Sequence, residues 1–186
     1  MFRLSKIIIC IILLLSLTFP ILLILIGIKV SSKGPVIYWS KRVGVNNTIF
    51  LMPKFRTMKQ EAPQIATSIM KNQVNYVTSF GKLLRKLSLD EIPQIYSILK
   101  GDMNFIGPRP ALFNQYDLIK LRNDKGINKM LPGVTGWAQV NGRDEISIEK
   151  KVEYECEYIL KKSVIFDFYI IILTFIEVFL FRNITH

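Results

Sequence analysis

The densest set of reactive side chains lies between Leu83 and Pro110, in the stretch LLRKLSLDEIPQIYSILKGDMNFIGPRP. Asp90 and Glu91 stand side by side, Lys82, Arg85 and Lys86 precede them, and Arg109 is locked between Pro108 and Pro110. Adjacent carboxylates bracketed by cations suit chemistry on a phosphate ester. One carboxylate can attack phosphorus or hold a proton, the other can hold Mg²⁺, and guanidinium groups can neutralise phosphate oxygens. The same residues admit a purely structural reading. Ser88-Leu89-Asp90-Glu91 matches a capping box, and acids at a helix start relax the macrodipole. A helix capped by Ser88 would put Pro93 at its fifth position, whereas a start at Asp90 makes it the third, which is tolerated. Spacing alone leaves both readings open.

The elements that must position these residues sit in an unusual chain. Of its 186 residues, 25 are basic and 14 acidic, half are hydrophobic, and mean hydropathy is positive. That excludes a disordered chain, argues against an ordinary soluble domain, and fits one domain with a modest core. The charge is local: residues 1–60 hold nine Lys or Arg and no Asp or Glu, while the other 16 basic residues nearly balance the acids. A cationic third of this kind attracts phospholipid, nucleic acid or a phosphorylated substrate. Cys10 and Cys156 have no ligand spacing around them and read as unpaired thiols in a reducing compartment. The single histidine, His186, is the last residue, which removes histidine chemistry.

Ile7 to Ile28 runs for 22 residues without a charge. As a helix it would measure about 33 Å, enough for a bilayer core and too long for a secretory signal. Residues 1–33 are therefore expected to be a membrane anchor and 34–186 a cytoplasmic domain. Pro20 interrupts the run, and both flanks are basic, with Arg3 and Lys6 before it and Lys29 and Lys33 after. The positive-inside rule disfavours cations on the far side, so the pattern favours a re-entrant helix that breaks at Pro20 and returns. A kinked single span is the competing arrangement.

Past the anchor, Val36–Ser40 and Thr48–Phe55 read as a hairpin around a turn at Gly44–Asn47. Its aromatic and basic side chains suit a headgroup-level surface, and Lys54 and Arg56 are read as lipid-facing. The same mixture suits single-stranded nucleic acid, but the adjacent anchor favours lipid. Residues 60–75 read as a loop, Gly81–Lys100 as a helix interrupted at Pro93, and Gly101–Pro110 and Leu131–Arg143 as loops. Glu145–Lys162 reads as a charged, exposed helix. In Val164–Phe181, Asp167, Thr174 and Glu177 fall within an arc of about 80°, giving an amphipathic helix for the membrane interface or for the core. The expected class is α+β, mostly helical.

SLDEIPQIYSILKGDMNFIGPRP, followed by PGVTGWAQVNGR and preceded by KRVG and KFRTM, resembles the bacterial sugar transferases, the small monotopic phosphoglycosyl transferases. The similarity runs from about Val36 to Thr174. It implies transfer of a phospho-sugar from a UDP-sugar to polyprenyl phosphate, giving polyprenyl diphosphate-sugar and UMP. Asp90 would be the nucleophile of a ping-pong scheme, and Glu91 would assist with Mg²⁺. Arg85, Arg109 and Arg143 would bind phosphate, with Arg85 equally readable as a solvated helix residue and Arg109 alternatively as a surface salt bridge. Gly133, Gly136 and Trp137 would serve the nucleotide, against their alternatives as turn glycines and a core tryptophan. The resemblance also implies a re-entrant anchor broken at a proline and the cytoplasmic face of a bacterial inner membrane, with anionic lipid as partner and a homodimer left open. In this chain Phe19 precedes Pro20 where the family often has Ser, so hydroxyl support for the break must come from Ser16 or Thr18. The alternatives are a non-catalytic basic membrane adaptor and a UDP-releasing glycosyltransferase. The identity of the sugar is not legible in the sequence.

Overall fold

The computed structural model describes residues 2–63, 76–142 and 146–179. The loop expected at 60–75 falls almost wholly outside these residues, as does Arg143. The fold is α+β and mostly helical. Helices α1 (Phe2–Ser16) and α2 (Thr18–Ser31) form a bent N-terminal pair, followed by strands β1 (Ile37–Val43) and β2 (Ile49–Phe55), which form a hairpin. Helix α3 (Ser79–Lys86) leads through a 3-10 turn (Leu89–Gln94) into α4 (Ile95–Lys100). Then come β3 (Asn104–Ile106), α5 (Tyr116–Asp124), β4 (Gly133–Thr135), α6 (Trp137–Val140), α7 (Ile148–Lys161) and α8 (Val164–Phe179).

The α1–α2 bend is 62° and falls at Leu17, three residues before Pro20. That displacement follows from proline chemistry. Pro20 has no N–H for the Ser16 carbonyl and its ring crowds that carbonyl, so the preceding turn opens. Pro20 itself lies in the first turn of α2, where a missing donor costs little. The two hydroxyls expected to support the break do so: Ser16 Oγ donates to Leu13 O at 3.0 Å and Thr18 Oγ1 to Leu14 O at 2.9 Å. No single described helix is long and apolar enough to cross a membrane, although the bent pair together has the length and composition. One side of the pair packs inward through Cys10, Ile24 and Ile28, while Ile12, Leu15, Phe19, Leu23 and Val30 are exposed. Gly27 lets the Phe80 ring of α3 sit against α2, since a Cβ there would come within 2.4 Å of it.

The hairpin register runs from Ile37 opposite Phe55 to Val43 opposite Ile49, so β1 extends past its expected end. Asn46 and Asn47 take positive φ in the connection, which asparagine tolerates. Arg56 is buried rather than lipid-facing. It donates to Ser32 O at 2.8 Å, Ser32 Oγ at 3.0 Å and Lys33 O at 2.9 Å, capping the carbonyl end of α2 and fastening it to the hairpin.

The helix expected over Gly81–Lys100 breaks at Ser88, which has φ 54°, rather than at Pro93, and Ser88 makes no capping bond. The two expected loops contain strands: β3 and β4 pair in parallel, Asn104 with Gly133 and Ile106 with Thr135. These strands approach so closely that a Cβ on Gly133 would meet Gly107 N at 2.1 Å, and one on Gly136 would meet Gly107 O at 2.2 Å.

Helix α7 is capped by Ser147, which accepts from Lys150 N at 3.2 Å, and it is not exposed all round. Val152, Glu155 and Tyr158 are buried. Nor does α8 turn its polar stripe to solvent. Asp167 accepts from Tyr158 Oη at 2.7 Å, Thr174 bonds Thr135 at 2.7 Å, and Ile165, Phe168 and Phe175 are exposed. Glu155, 2% exposed, forms a two-pronged ion pair with Arg122, whose Nε lies 2.8 Å from Oε2. Breaking a buried pair strands one charge, so Arg122→Met should cost about 3–5 kcal/mol in denaturant unfolding, and adding Glu155→Leu should recover most of that loss. An additive double mutant would contradict this pairing.

Candidate active site

Asp90 and Glu91 lie in the 3-10 turn, 7% and 9% exposed. Burying two adjacent carboxylates is unfavourable unless cations come with them. The preceding helix and two segments distant in sequence supply the cations. Lys54 of β2 places Nζ 2.7 Å from Glu91 Oε1 and 3.6 Å from Asp90 Oδ2. Arg109 Nη2 is 2.7 Å from the same Glu91 oxygen. Arg85 of α3 donates from Nε to Thr57 Oγ1 at 2.9 Å and acts on Asp90 through its charge. The result is three cations around two carboxylates, a site biased toward further negative charge.

Each cation is held by its element. Lys54 shares a strand face with Phe50, Met52 and Arg56, all buried, and this alternation turns it inward. Arg85 is fixed where α3 meets Thr57, and Gly81 permits that approach because a Cβ there would meet Thr57 O at 2.1 Å. The loop carrying Arg109 is held by two other arginines. Arg122 Nη2 donates to Arg109 O at 2.9 Å, and Arg42 Nη1 to Pro110 O at 3.0 Å. Gly133 N to Pro108 O at 2.9 Å ties the same loop to β4.

The two carboxylates are electrostatically unlike. Burial pushes Asp90 above the usual carboxylate range; Lys54 draws it back only in part, and the Glu91 charge adds to the rise. Burial also acts on Glu91, but Arg109 and Lys54, through charge and hydrogen bonds, hold it well below its ordinary value. Glu91 is thus a fixed anion, while Asp90 is a desolvated carboxylate of raised basicity, which suits a nucleophile or base.

The structure pairs Arg109 with Glu91, sets the Arg85 charge near Asp90, and adds Lys54, whose expected lipid-facing role it overturns. The alternation of Phe50, Met52, Lys54 and Arg56 was the signal. Trp137 sits in an aromatic cluster with Tyr154, Phe166 and Tyr169, its indole N–H donating to Glu157 at 3.0 Å. Gly133 and Gly136 face the backbone of Gly107. Asp102 pairs with Lys100 at 3.0 Å. No cluster of three or more metal-ligating side chains occurs among the described residues. Two adjacent carboxylates nevertheless fit a magnesium ion that completes its shell with water and substrate phosphate.

The opposite shifts predict opposite stability effects. Asp90, with its folded pKa raised, subtracts stability at neutral pH, and this penalty disappears as pH falls below its unfolded value. Glu91, with its folded pKa depressed, contributes stability above its unfolded value and loses it as pH falls through the folded one. Asp90→Asn should therefore raise Tm at neutral pH and Glu91→Gln should lower it, both differences shrinking on acidification. Thermal unfolding across pH in detergent reads the signs, and shifts in the same direction would contradict the assignment.

Comparison with known proteins gives the family. The family model described as bacterial sugar transferase matches residues 1–181. The chain is 38% identical over 169 residues to a UDP-glucose:undecaprenyl-phosphate glucose-1-phosphate transferase of Xanthomonas campestris pv. campestris, covering 86% of this chain and 35% of that protein. It is 41% identical over 172 residues to a protein of the same name from Escherichia coli (strain K12), covering 87% of this chain and 37% of that one. An uncharacterized sugar transferase, EpsL of Bacillus subtilis (strain 168), is 38% identical over 149 residues, 79% of this chain and 71% of its own length. The chain thus spans about a third of the first two relatives and most of the third. With a desolvated Asp-Glu pair ringed by cations at the centre of the matched region, the chain belongs to the bacterial sugar transferase family.

Proposed function

We propose that the protein is an initiating phosphoglycosyl transferase that moves a phospho-sugar from a UDP-sugar to polyprenyl phosphate, releasing UMP. The observation that carries this reading is the asymmetry of the dyad. Glu91 Oε1 is saturated by Lys54 and Arg109 at 2.7 Å, while Asp90 Oδ2 stands 3.6 Å from Lys54, buried and unusually basic. The names of the relatives, undecaprenyl-phosphate sugar-1-phosphate transferases, supply the substrate classes.

In this mechanism an oxygen of ionised Asp90 attacks the sugar-bearing phosphorus of the donor. The bond from that phosphorus to the diphosphate bridging oxygen breaks, UMP leaves with the electron pair, and an aspartyl acyl phosphate carrying the sugar remains. A phosphate oxygen of the acceptor then attacks the same phosphorus, restoring the Asp90 carboxylate and forming polyprenyl diphosphate-sugar. Splitting the reaction means that the two anionic substrates need not repel one another at one moment. Lys54, Arg85 and Arg109 neutralise the equatorial oxygens as charge develops. Magnesium, held by Glu91 beside Asp90 together with the donor diphosphate, would add charge neutralisation at the leaving phosphate.

The bent α1–α2 pair with its exposed apolar side is proposed to enter the cytoplasmic face of a bacterial inner membrane and return, with the exposed Lys29, Lys33, Lys41 and Lys59 facing anionic headgroups. Single cysteines replacing Lys6 and Lys33 should then be labelled by an impermeant reagent from the cytoplasmic side only. Labelling from opposite sides would establish a span. For the chemistry, a UDP-sugar panel in nanodiscs with Mg²⁺ and polyprenyl phosphate should yield UMP. Asp90→Asn should lower turnover by at least about three orders of magnitude, the scale of losing a covalent nucleophile. UDP as product would indicate a conventional glycosyltransferase, and full activity in Asp90→Asn would exclude the dyad mechanism.

A further inference from the structure

A partly open cavity of about 270 Å³ is lined by α1, the 3-10 turn, α4, β3, β4, α6 and α8 and reaches the dyad at Glu91. Its walls are largely apolar, including Leu13, Ile92, Ile95, Phe105, Val134 and Val178, and Glu91 forms part of them. Two carboxylates line the cavity, Glu91 of the charged site and Glu177 of α8. The helices that contribute Leu13 and Val178 are α1 and α8, and both leave apolar faces bare, Ile12 and Leu15 on one and Phe168 and Phe175 on the other.

One polar group in this space is unexplained by the fold. Thr135 and Thr174 satisfy each other at 2.7 Å. Gln139, 8% exposed and lining the cavity, has no hydrogen-bond partner for either Oε1 or Nε2 among the described residues. Leaving both ends of a buried carboxamide unpaired is unfavourable, and such groups in native structures mark a missing ligand or function.

We infer that this cavity receives the head end of the acceptor, with the isoprene units next to the phosphate entering from the lipid between α1 and α8 and the Gln139 amide donating to a phosphate oxygen. This rests on the phosphoglycosyl transfer proposed above. The cavity lies just under the roughly 300–1,000 Å³ typical of drug-sized ligand pockets, so it holds the first isoprene units and leaves the rest of the chain in lipid. A donor sugar would set its hydroxyls against Ile92, Ile95, Phe105 and Val134 and leave them unpaired, whereas an isoprenoid loses nothing there. The acceptor phosphate would thereby approach the dyad from the Glu91 side, where Lys54 and Arg109 each lie 2.7 Å from that carboxylate and can offset its charge.

The test separates the two half-reactions in full-length protein in nanodiscs, using the UDP-sugar that yields UMP and undecaprenyl phosphate as the probe. Val178→Trp narrows the cavity, and Gln139→Leu removes the carboxamide with nearly the same volume. Both should raise the acceptor KM at least about tenfold. The UMP burst without acceptor should persist, with the donor KM changed by less than about twofold. Gln139→Leu should also keep or raise Tm, because it removes an unpaired buried amide; a purely structural glutamine would lower Tm instead. In the wild type, acceptor KM should fall over the first few isoprene units and then level off. An unchanged acceptor KM in both folded variants would overturn the inference, as would loss of the burst in parallel with acceptor use, which would assign the cavity to the donor. Failure of the underlying reading shows separately, as wild-type protein that releases no UMP.

Discussion

The Glu91 carboxylate, with Lys54 and Arg109 both 2.7 Å from one of its oxygens, holds the site together. Through that oxygen the hairpin, the 3-10 turn and the Gly107–Pro110 loop meet at one point. Removing Lys54 or Arg109 would leave a buried charge less compensated, so the three segments are bound to a common geometry by the cost of exposing that imbalance. The remaining contacts extend this constraint outward. Arg42 and Arg122 hold the Arg109 loop by its carbonyls, the Arg122–Glu155 pair links it to α7, and Arg56 fastens the hairpin to the end of α2. The arginines thus tie the N-terminal helix pair, the β-hairpin and α7 to the dyad.

This arrangement explains how two neighbouring acids come to differ. Their local sequence makes them nearly equivalent, but the cations converge on Glu91 and leave Asp90 desolvated. One carboxylate becomes a fixed counter-charge, and the other is left with raised basicity. Under the proposed mechanism, stability and reactivity would then compete at Asp90.

Part of this was legible in the residues. The charge-free run with a central proline marked the bent helix pair, and proline-flanked Arg109 marked a rigid cation near the dyad. The class, the hairpin and most helices followed from periodicity. The failures have physical causes. Lys54 and Arg56 sit among aromatic residues on a basic segment, a composition shared by membrane surfaces and buried ion pairs; only strand alternation tells them apart. The bend falls at Leu17 because a proline disturbs the carbonyl four residues behind it, not its own position. Strands β3 and β4 are three residues each and pair across 29 positions (Asn104 with Gly133), too short and too distant for local pattern. The stripe on α8 was visible, but its direction was not: Asp167 and Thr174 face the domain and the apolar side faces out, the reverse of a soluble surface helix.

The central claim is that Asp90 carries the transferred phospho-sugar, and trapping that species tests it most directly. Intact-protein mass spectrometry after rapid quench, with UDP-sugar and Mg²⁺ but no acceptor, should show a fraction of the protein heavier by one phospho-sugar. Peptide mapping should place the added mass on Asp90, and polyprenyl phosphate should discharge it. Production of UMP at full rate with no adduct under any quench, or an adduct that survives Asp90→Asn, would contradict the account.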